Sequence, residues 1–387
     1  MRDSIRCNHI FKRIEELEKE YIDFWTDICS IESPTEYKEG VDKVGRYVIE
    51  KAEKRGWLIE VQKQEISGDC ICITMNPDSE EQSVCFSSHM DTVHPVGSFG
   101  YPPVHFDEEN IYGPGVTDCK GGIASAFLAM AALDDCDFTA RPLKLILQSD
   151  EENGSRNSNK STVEFMYKKA KDCIAFLNGE GGNDNKIVIR RKGIRKYGFE
   201  ITGQAKHSSA CNEGISAIRE AAYKIIELEK MKDKKGITCN CGLINGGTAE
   251  NTVPEKCTFT ADVRFYTQEQ MKEADETIMK IANTSYVEGT SCETTLKSYR
   301  CPMELTDRNI ELLNKINKIQ EENGLPALTG VESCGGADSA DITSYGLPCL
   351  DAFGVGGKNV HELSEYSPIK SLIHSAKRMA SVAYCIE

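Results

Sequence analysis

Between Phe11 and Ile28 the apolar residues Phe11, Ile14, Leu17, Tyr21, Phe24, Trp25 and Ile28 recur every three or four positions, the signature of one helix face. Val41, Val44, Tyr47, Val48 and Ala52 repeat the period, and Gly56 supplies the stop expected just past a helix end. The period then shortens. Leu58 to Ile66, Cys70 to Met75, Val84 to Ser88, Leu143 to Ser149 and Ile174 to Asn178 are apolar runs of strand length, and the stretch Gly121 to Leu133 reads as a buried helix before the fourth. Apolar strands separated by helices predict an α/β domain with a mainly parallel sheet covered on both faces.

After Arg191 the pattern changes. Tyr197, Phe199 and Ile201 alternate with other residues, a helix runs from Ile215 to Met231, and strands follow at Ile237 to Ile244 and Cys257 to Phe265. Met271, Ala274, Ile278 and Ile281 mark a second helix, and Cys292 to Tyr299 closes the segment as a strand. That order, β-α-β-β-α-β, predicts a ferredoxin-like α+β domain. Helices and apolar runs resume at Asn309 to Asn323, Pro348 to Val355 and Ile369 to Ile386, so residues 191–301 are expected to be an insertion between the two parts, 1–190 and 302–387, of the larger domain. A chain of 387 residues is long enough for two cores.

Composition narrows the function classes. With a net charge of −15, and basic residues dispersed among acids, no surface is expected to neutralise nucleic-acid phosphates. The longest nearly apolar run, Gly121 to Leu133, is shorter than the roughly 20 residues of a membrane span. The N-terminus has no uninterrupted apolar stretch of the secretory kind, so the expected compartment is the cytoplasm. The 17 cysteines are odd in number and scattered, and Cys70 with Cys72 and Cys239 with Cys241 are spaced for one strand face rather than for a structural zinc site, so a reduced packing role is expected.

Candidate chemistry gathers at strand ends. His89 and Asp91 follow the strand beginning at Val84; Asp118 lies in the turn-rich segment Gly113 to Gly122 that opens into the apolar helix; Glu151 and Glu152 end the strand from Leu143; Glu180 ends the strand from Ile174; His361 follows the run Pro348 to Val355. In open α/β sheets the crevice beyond the carboxyl ends of strands is where ligands bind, so these groups are expected to converge. Two histidines with several carboxylates suit catalytic zinc. If Asp118 bridges two Zn²⁺, with His89 and Glu180 on one ion and Glu152 and His361 on the other, three carboxylates and one hydroxide balance four positive charges. Nearby Asp172 and Asp184 offer the same donor as Glu180. Glu151 is then left to move a proton as general base, and the Asp91 carboxylate is available to orient the His89 imidazole.

The segments Ser88-His89-Met90-Asp91, Gly115 to Gly122, Asp150 to Ser155 and His361 to Tyr366 resemble, in order and over nearly the whole chain, the motifs of a zinc exopeptidase and deacylase family that includes acetylornithine deacetylase, succinyl-diaminopimelate desuccinylase, aminoacylase and bacterial glutamate carboxypeptidase. The resemblance implies the same assignments: metal at His89, Asp118, Glu152, Glu180 and His361, with Co²⁺ or Mn²⁺ able to replace Zn²⁺, Glu151 as base and Asp91 as orienter. It also implies that the inserted domain is a lid and homodimerisation domain, in which the segment Gly203 to Ser209 carries a lid histidine, His207, and Asn251 and Arg264 bind the substrate carboxylate or the developing oxyanion. Pro114, Cys119 and Gly181 stand where many members carry arginine, methionine and proline. The implied reaction is hydrolysis of an amide next to a carboxylate-bearing residue of a small peptide or N-acyl amino acid.

Two other classes fit the sequence less well. A phosphate-binding loop around Asp118 and Lys120 lacks the glycine-lysine-serine/threonine order such a loop needs. An inactive binding or scaffold protein on the same fold would have no chemical reason to keep this set of ligands and base together.

Overall fold

The structure, a computed structural model, describes residues 4–182, 185–233 and 236–387. The chain forms two compact units, Met1–Ile189 with Leu305–Glu332 and Ala337–Glu387, and Arg190–Glu304 with Ser333–Gly336.

The larger unit is built on a six-stranded sheet. Strands β1 (Leu58–Gln62), β2 (Cys70–Met75), β3 (Val84–His89), β4 (Leu143–Gln148) and β5 (Ala175–Asn178) lie in the order β1-β2-β4-β3-β5, with Cys349–Leu350 at the far edge. Pairing is parallel from β4 through β3 and β5 to Cys349–Leu350, and antiparallel for β1 with β2 and β2 with β4. The sheet is therefore mainly parallel with an antiparallel edge. Every residue of β2, β3 and β5 is buried, as strands covered on both faces must be. Around helix α4 (Lys120–Asp135), buried from Lys120 to Leu133, pack α1 (Ser4–Glu16), α2 (Glu18–Ser30) and the helix Ser371–Cys385; α3 (Lys38–Glu53) packs on β1 and β2.

Three predicted elements differ from the structure. The single helix expected from Phe11 to Ile28 is two, parted at Leu17, although the amide of Leu17 still bonds to Arg13 O and that of Tyr21 to Leu17 O, so the apolar stripe runs through the break. The strand expected from Leu58 to Ile66 ends at Gln62, and the Gln64 amide turns to the Asp69 carboxylate instead. The run Pro348 to Val355 pairs with β5 only at Cys349 and Leu350; Asp351 then bridges antiparallel to Val188 while its carboxylate bonds to Asn178 and Ser339, and Ala352 takes a φ of 63°. No helix among the described residues is long and apolar enough to cross a membrane, and all cysteines are unbridged.

In the smaller unit, β6 (Gly193–Thr202), β7 (Thr238–Gly246), β8 (Lys256–Phe265) and β9 (Ser291–Arg300) form an antiparallel sheet in the order β7-β8-β6-β9, the ferredoxin-like order. The inward side chains of the strands, such as Phe199, Ile201, Phe259 and Val263, meet Ala217, Ala221 and Leu228 of one helix (Ala217–Glu229) and Ala274 and Ile278 of another (Gln268–Asn283). Sequence periodicity does not reveal that this core holds an ion pair: Glu220 and Lys224 are each 1 % exposed and 3.0 Å apart. Lys224 donates to the carbonyls of Ile281, Ala282 and Thr284, while Glu220 accepts the amides of Tyr286 and Val287. The pair thus satisfies the end of one helix and the turn after it. Lys224→Met, which strands a buried carboxylate, is expected to cost about 3–5 kcal/mol, read as a lowered urea midpoint of the small-unit transition. An unchanged midpoint would show that the pair is dispensable.

Candidate active site

The larger unit brings three of its strand ends, the turn before α4 and the loop carrying His361 to one place. His89, the last residue of β3, is 2 % exposed. Its Nδ1 lies 2.9 Å from Asp91 O and 3.3 Å from the Asp91 carboxylate, and its Nε2 lies 2.9 Å from Asp118 Oδ1. With Nδ1–H donating to Asp91, Nε2 is the nitrogen turned to Asp118 and the one whose lone pair a metal ion would take in place of the proton. The backbone carbonyl, rather than the carboxylate expected from sequence, is the nearer acceptor. The Asp91 carboxylate also accepts the amides of Glu151 and Glu152 at 3.2 and 3.1 Å and the Thr35 hydroxyl at 2.8 Å. It ties the loop after β4 to the end of β3.

Asp118 faces two ways. Oδ1 meets His89, and Oδ2 lies 3.2 Å from His361 Nε2, which in turn lies 3.2 Å from Glu152 Oε2. Glu180 Oε1 is 3.8 Å from His89 Nε2. Two donor groups result, His89, Asp118, Cys119 and Glu180 in one and Asp118, Glu152 and His361 in the other, each with its atoms within 4.8 Å of one another. Asp118 belongs to both. Cys119 is the member that sequence reasoning did not put forward, and its Sγ donates to Gly179 O at 2.9 Å, which engages the thiol proton. Burial also pushes the Cys119 thiol well above its usual range.

The supports are local. Gly122 opens α4 so close to the end of β5 that a Cβ there would lie 2.1 Å from Gly179 O, so only glycine lets the helix approach the Glu180 turn. Trp25 Nε1 holds Val116 O at 3.1 Å, and Lys120 Nζ, fully buried, donates to Ile31 O at 2.7 Å. Burial draws the Lys120 ammonium down to about 8. A lysine so engaged has no reach to a phosphate, which disposes of the phosphate-loop reading. The short strands Asn110–Tyr112 and Tyr366–Pro368, which sequence reasoning missed, pair antiparallel and bring the loop carrying His361 beside the Asp118 turn. His361 itself sits at a φ of 67°, a left-handed conformation that costs a histidine on the order of 1–3 kcal/mol and is tolerated when the surroundings over-determine it.

Electrostatics follow from crowding acids. Burial, then the Asp118 charge, raises Glu152 to about 8 and takes Glu180 well above the carboxylate range. Burial opposes ionisation of Asp118 too, but hydrogen bonds from His361 and His89 hold it well below its ordinary value. The bonds to Asp118 and Glu152 raise His361 to about 10. Such a cluster calls for positive charge from protons or cations. Its nitrogen and oxygen donors, in two groups sharing one carboxylate, fit a pair of divalent zinc-type ions.

Of the alternative donors for Glu180, Asp172 is exposed ahead of β5, at the opposite end from Glu180, and Asp184 lies outside the described residues. In the smaller unit the pairing of Lys206–His207 with Thr252–Val253 sets His207 opposite Thr252, beside Asn251, whose carbonyl accepts the Ser208 amide at 2.8 Å. His207 is exposed, and its Nδ1 accepts the Ser209 amide at 3.2 Å, so the ring proton is on Nε2. Arg264 is engaged by Asp262 at 3.0 Å and by Cys334 O at 2.7 Å, with 33 % of its side chain exposed.

Comparison with known proteins agrees with this geometry. The profile of peptidase family M20/M25/M40 matches residues 85–384. Carboxypeptidase G2 of Pseudomonas sp. (strain RS-16) is 25% identical over 379 residues, covering 95% of this chain and 89% of that protein. Succinyl-diaminopimelate desuccinylase of Rickettsia massiliae (strain Mtu5) is 23% identical, covering 91% and 96%. A tripeptidase of Staphylococcus aureus subsp. aureus Mu50 superposes with a TM-score of 0.79 at 22% identity, covering 95% and 98%, and shares the fold. From the convergence of the strand-end residues and a family match that spans most of the sequence, this chain belongs to peptidase family M20/M25/M40, a family of metal-dependent hydrolases.

Proposed function

We propose that this chain is a two-zinc amidohydrolase that cleaves the amide bond next to a carboxylate-bearing residue of a small peptide or N-acyl amino acid. The observation that carries the reading is Asp118, whose two carboxylate oxygens face separate donor groups. In this reading His89 and Glu180 would hold one ion and Glu152 and His361 the other, with Asp118 shared between them. The ions would polarise the scissile carbonyl and make water nucleophilic at neutral pH.

The remaining roles belong to side chains. Glu151, 6 % exposed and adjacent to Glu152, takes the proton from water and delivers it to the leaving nitrogen. Asp91 keeps both glutamates in place through their amides. From the smaller unit, acting as lid and homodimer interface, His207 donates to the tetrahedral oxyanion, and Asn251 and Arg264 receive the substrate carboxylate. Arg264 suits that task because a guanidinium matches a carboxylate with two parallel hydrogen bonds. The similarity to carboxypeptidase G2 supports a C-terminal residue as the leaving group, ahead of a dipeptide or N-acyl amino acid. The proposed compartment is the cytoplasm.

Turnover is expected to vanish on thorough chelation and to return with Zn²⁺, and with Co²⁺ or Mn²⁺, since nitrogen and oxygen donors accept several divalent ions. The assay is a panel of C-terminal glutamate peptides, dipeptides and N-acyl amino acids, with bound metal counted by elemental analysis. Hydrolysis that survives verified metal removal would sink the mechanism. A chain that binds zinc yet hydrolyses nothing in the panel would favour the inactive binding protein.

A further inference from the structure

The Asp118 turn is held by a residue that none of the roles above uses. Glu365, four positions past His361 and 2 % exposed, reaches under the turn. Its Oε1 accepts the amides of Thr117 and Asp118 at 2.8 and 3.0 Å, and its Oε2 accepts that of Gly115 at 3.2 Å. Backbone bonds reinforce the join: the Gly113 amide donates to Glu365 O at 3.3 Å, and the Thr117 hydroxyl to Tyr366 O at 2.9 Å. Buried amides in a turn have no strand or helix partner and need an acceptor from elsewhere. Here one carboxylate serves three of them.

We propose that Glu365 is a positioning residue that locks the Asp118 turn to the His361 loop and so joins two metal half-sites into one two-ion centre. The inference rests on the metal reading given above. One oxygen of Asp118 faces His89 and the other His361, so a small rotation of the turn would improve one half-site only by spoiling the other. Glu365 and His361 share a short loop, which makes the position of the bridging carboxylate and that of the second histidine a single variable. Asp91 acts alike on the loop of Glu151 and Glu152, so two buried acids between them fix two ligand-bearing loops.

The side-chain chemistry makes this testable. Glutamine keeps the shape but replaces one acceptor oxygen by an N–H₂ group that meets the Gly115 amide donor to donor, whereas aspartate keeps the charge and withdraws it by one methylene. The full-length apo protein, Glu365→Gln and Glu365→Asp are titrated with Zn²⁺ against a chromophoric chelator, and the visible absorption of each Co²⁺-loaded protein is recorded. The expected result is two ions for the wild type, and for both variants affinity lowered by about 10- to 100-fold with shifted Co²⁺ bands, the scale typical for loss of a residue that orients ligands. A residue that merely stabilised the fold would lower the melting temperature and leave the Co²⁺ bands of the folded protein unmoved. Folded variants with wild-type affinities and bands overturn the inference. If Glu365→Gln does not fold, Glu365→Asp decides alone; if neither folds, amide exchange in the wild type decides, because Gly115, Thr117 and Asp118 exchanging as fast as open loops would overturn it and protected amides would support it. A wild-type chain that binds no divalent ion fails at the metal reading instead, which the same titration distinguishes.

Discussion

Glu151→Ala is expected to keep its full complement of metal and to lose about 10²- to 10⁴-fold in turnover, the usual contribution of a positioned acid-base group. The loop should survive the substitution because it is held by its backbone: the amides of Glu151 and Glu152 both bond to Asp91, whichever side chain follows. Glu151 is buried and adjacent to Glu152, and after burial and Asp118 its charge also contributes to raising Glu152 and Glu180. Glu152→Ala makes the contrast. Its carboxylate lies 3.2 Å from His361, so its loss should empty one half-site and cost metal and turnover together. Zinc content by elemental analysis and steady-state turnover are measured on the same preparations. If Glu151→Ala is fully active, or loses as much metal as Glu152→Ala, the two adjacent glutamates have been given the wrong roles.

His207→Ala should be folded, metal-loaded and slower by about a hundred- to a thousandfold, the usual loss when one oxyanion donor is removed. Geometry within the smaller unit favours a donor. The Ser209 amide occupies Nδ1, so Nε2–H is the ring's available donor, and the ring is exposed rather than packed in the core. Asn251 adjoins the short strand pair, its carbonyl accepting the Ser208 amide, and both residues are exposed. If the donor serves the partner's site, mixing His207→Ala with Glu151→Ala under subunit exchange should restore part of the activity, because each heterodimer then contains one complete site. Verified heterodimers without restoration would rule out the crossing, and near-normal turnover of His207→Ala alone would remove the catalytic role.

Sequence by itself determined the α/β class, the ferredoxin-like order of the insertion and the set of strand-end acids and histidines. Each rests on a local rule: the burial of β2, β3 and β5 imposes continuous apolar runs, the half-covered strand β8 alternates, and parallel strands leave their carboxyl ends on a common edge. What depended on long-range partners was not legible. The antiparallel edge of the sheet is set by which strands β2 meets, β1 on one side and β4 on the other. The run Pro348 to Val355 looks like a strand, yet Asp351 diverts it because a buried carboxylate must find donors, and its donors lie on Asn178 and Ser339. The placing of Asp118 between two donor groups and the three amides on Glu365 are likewise decided in the folded chain, where residues some 250 positions apart come within hydrogen-bond distance. A glutamate in a sequence is only an acid; burial against the backbone of a distant turn makes it a support.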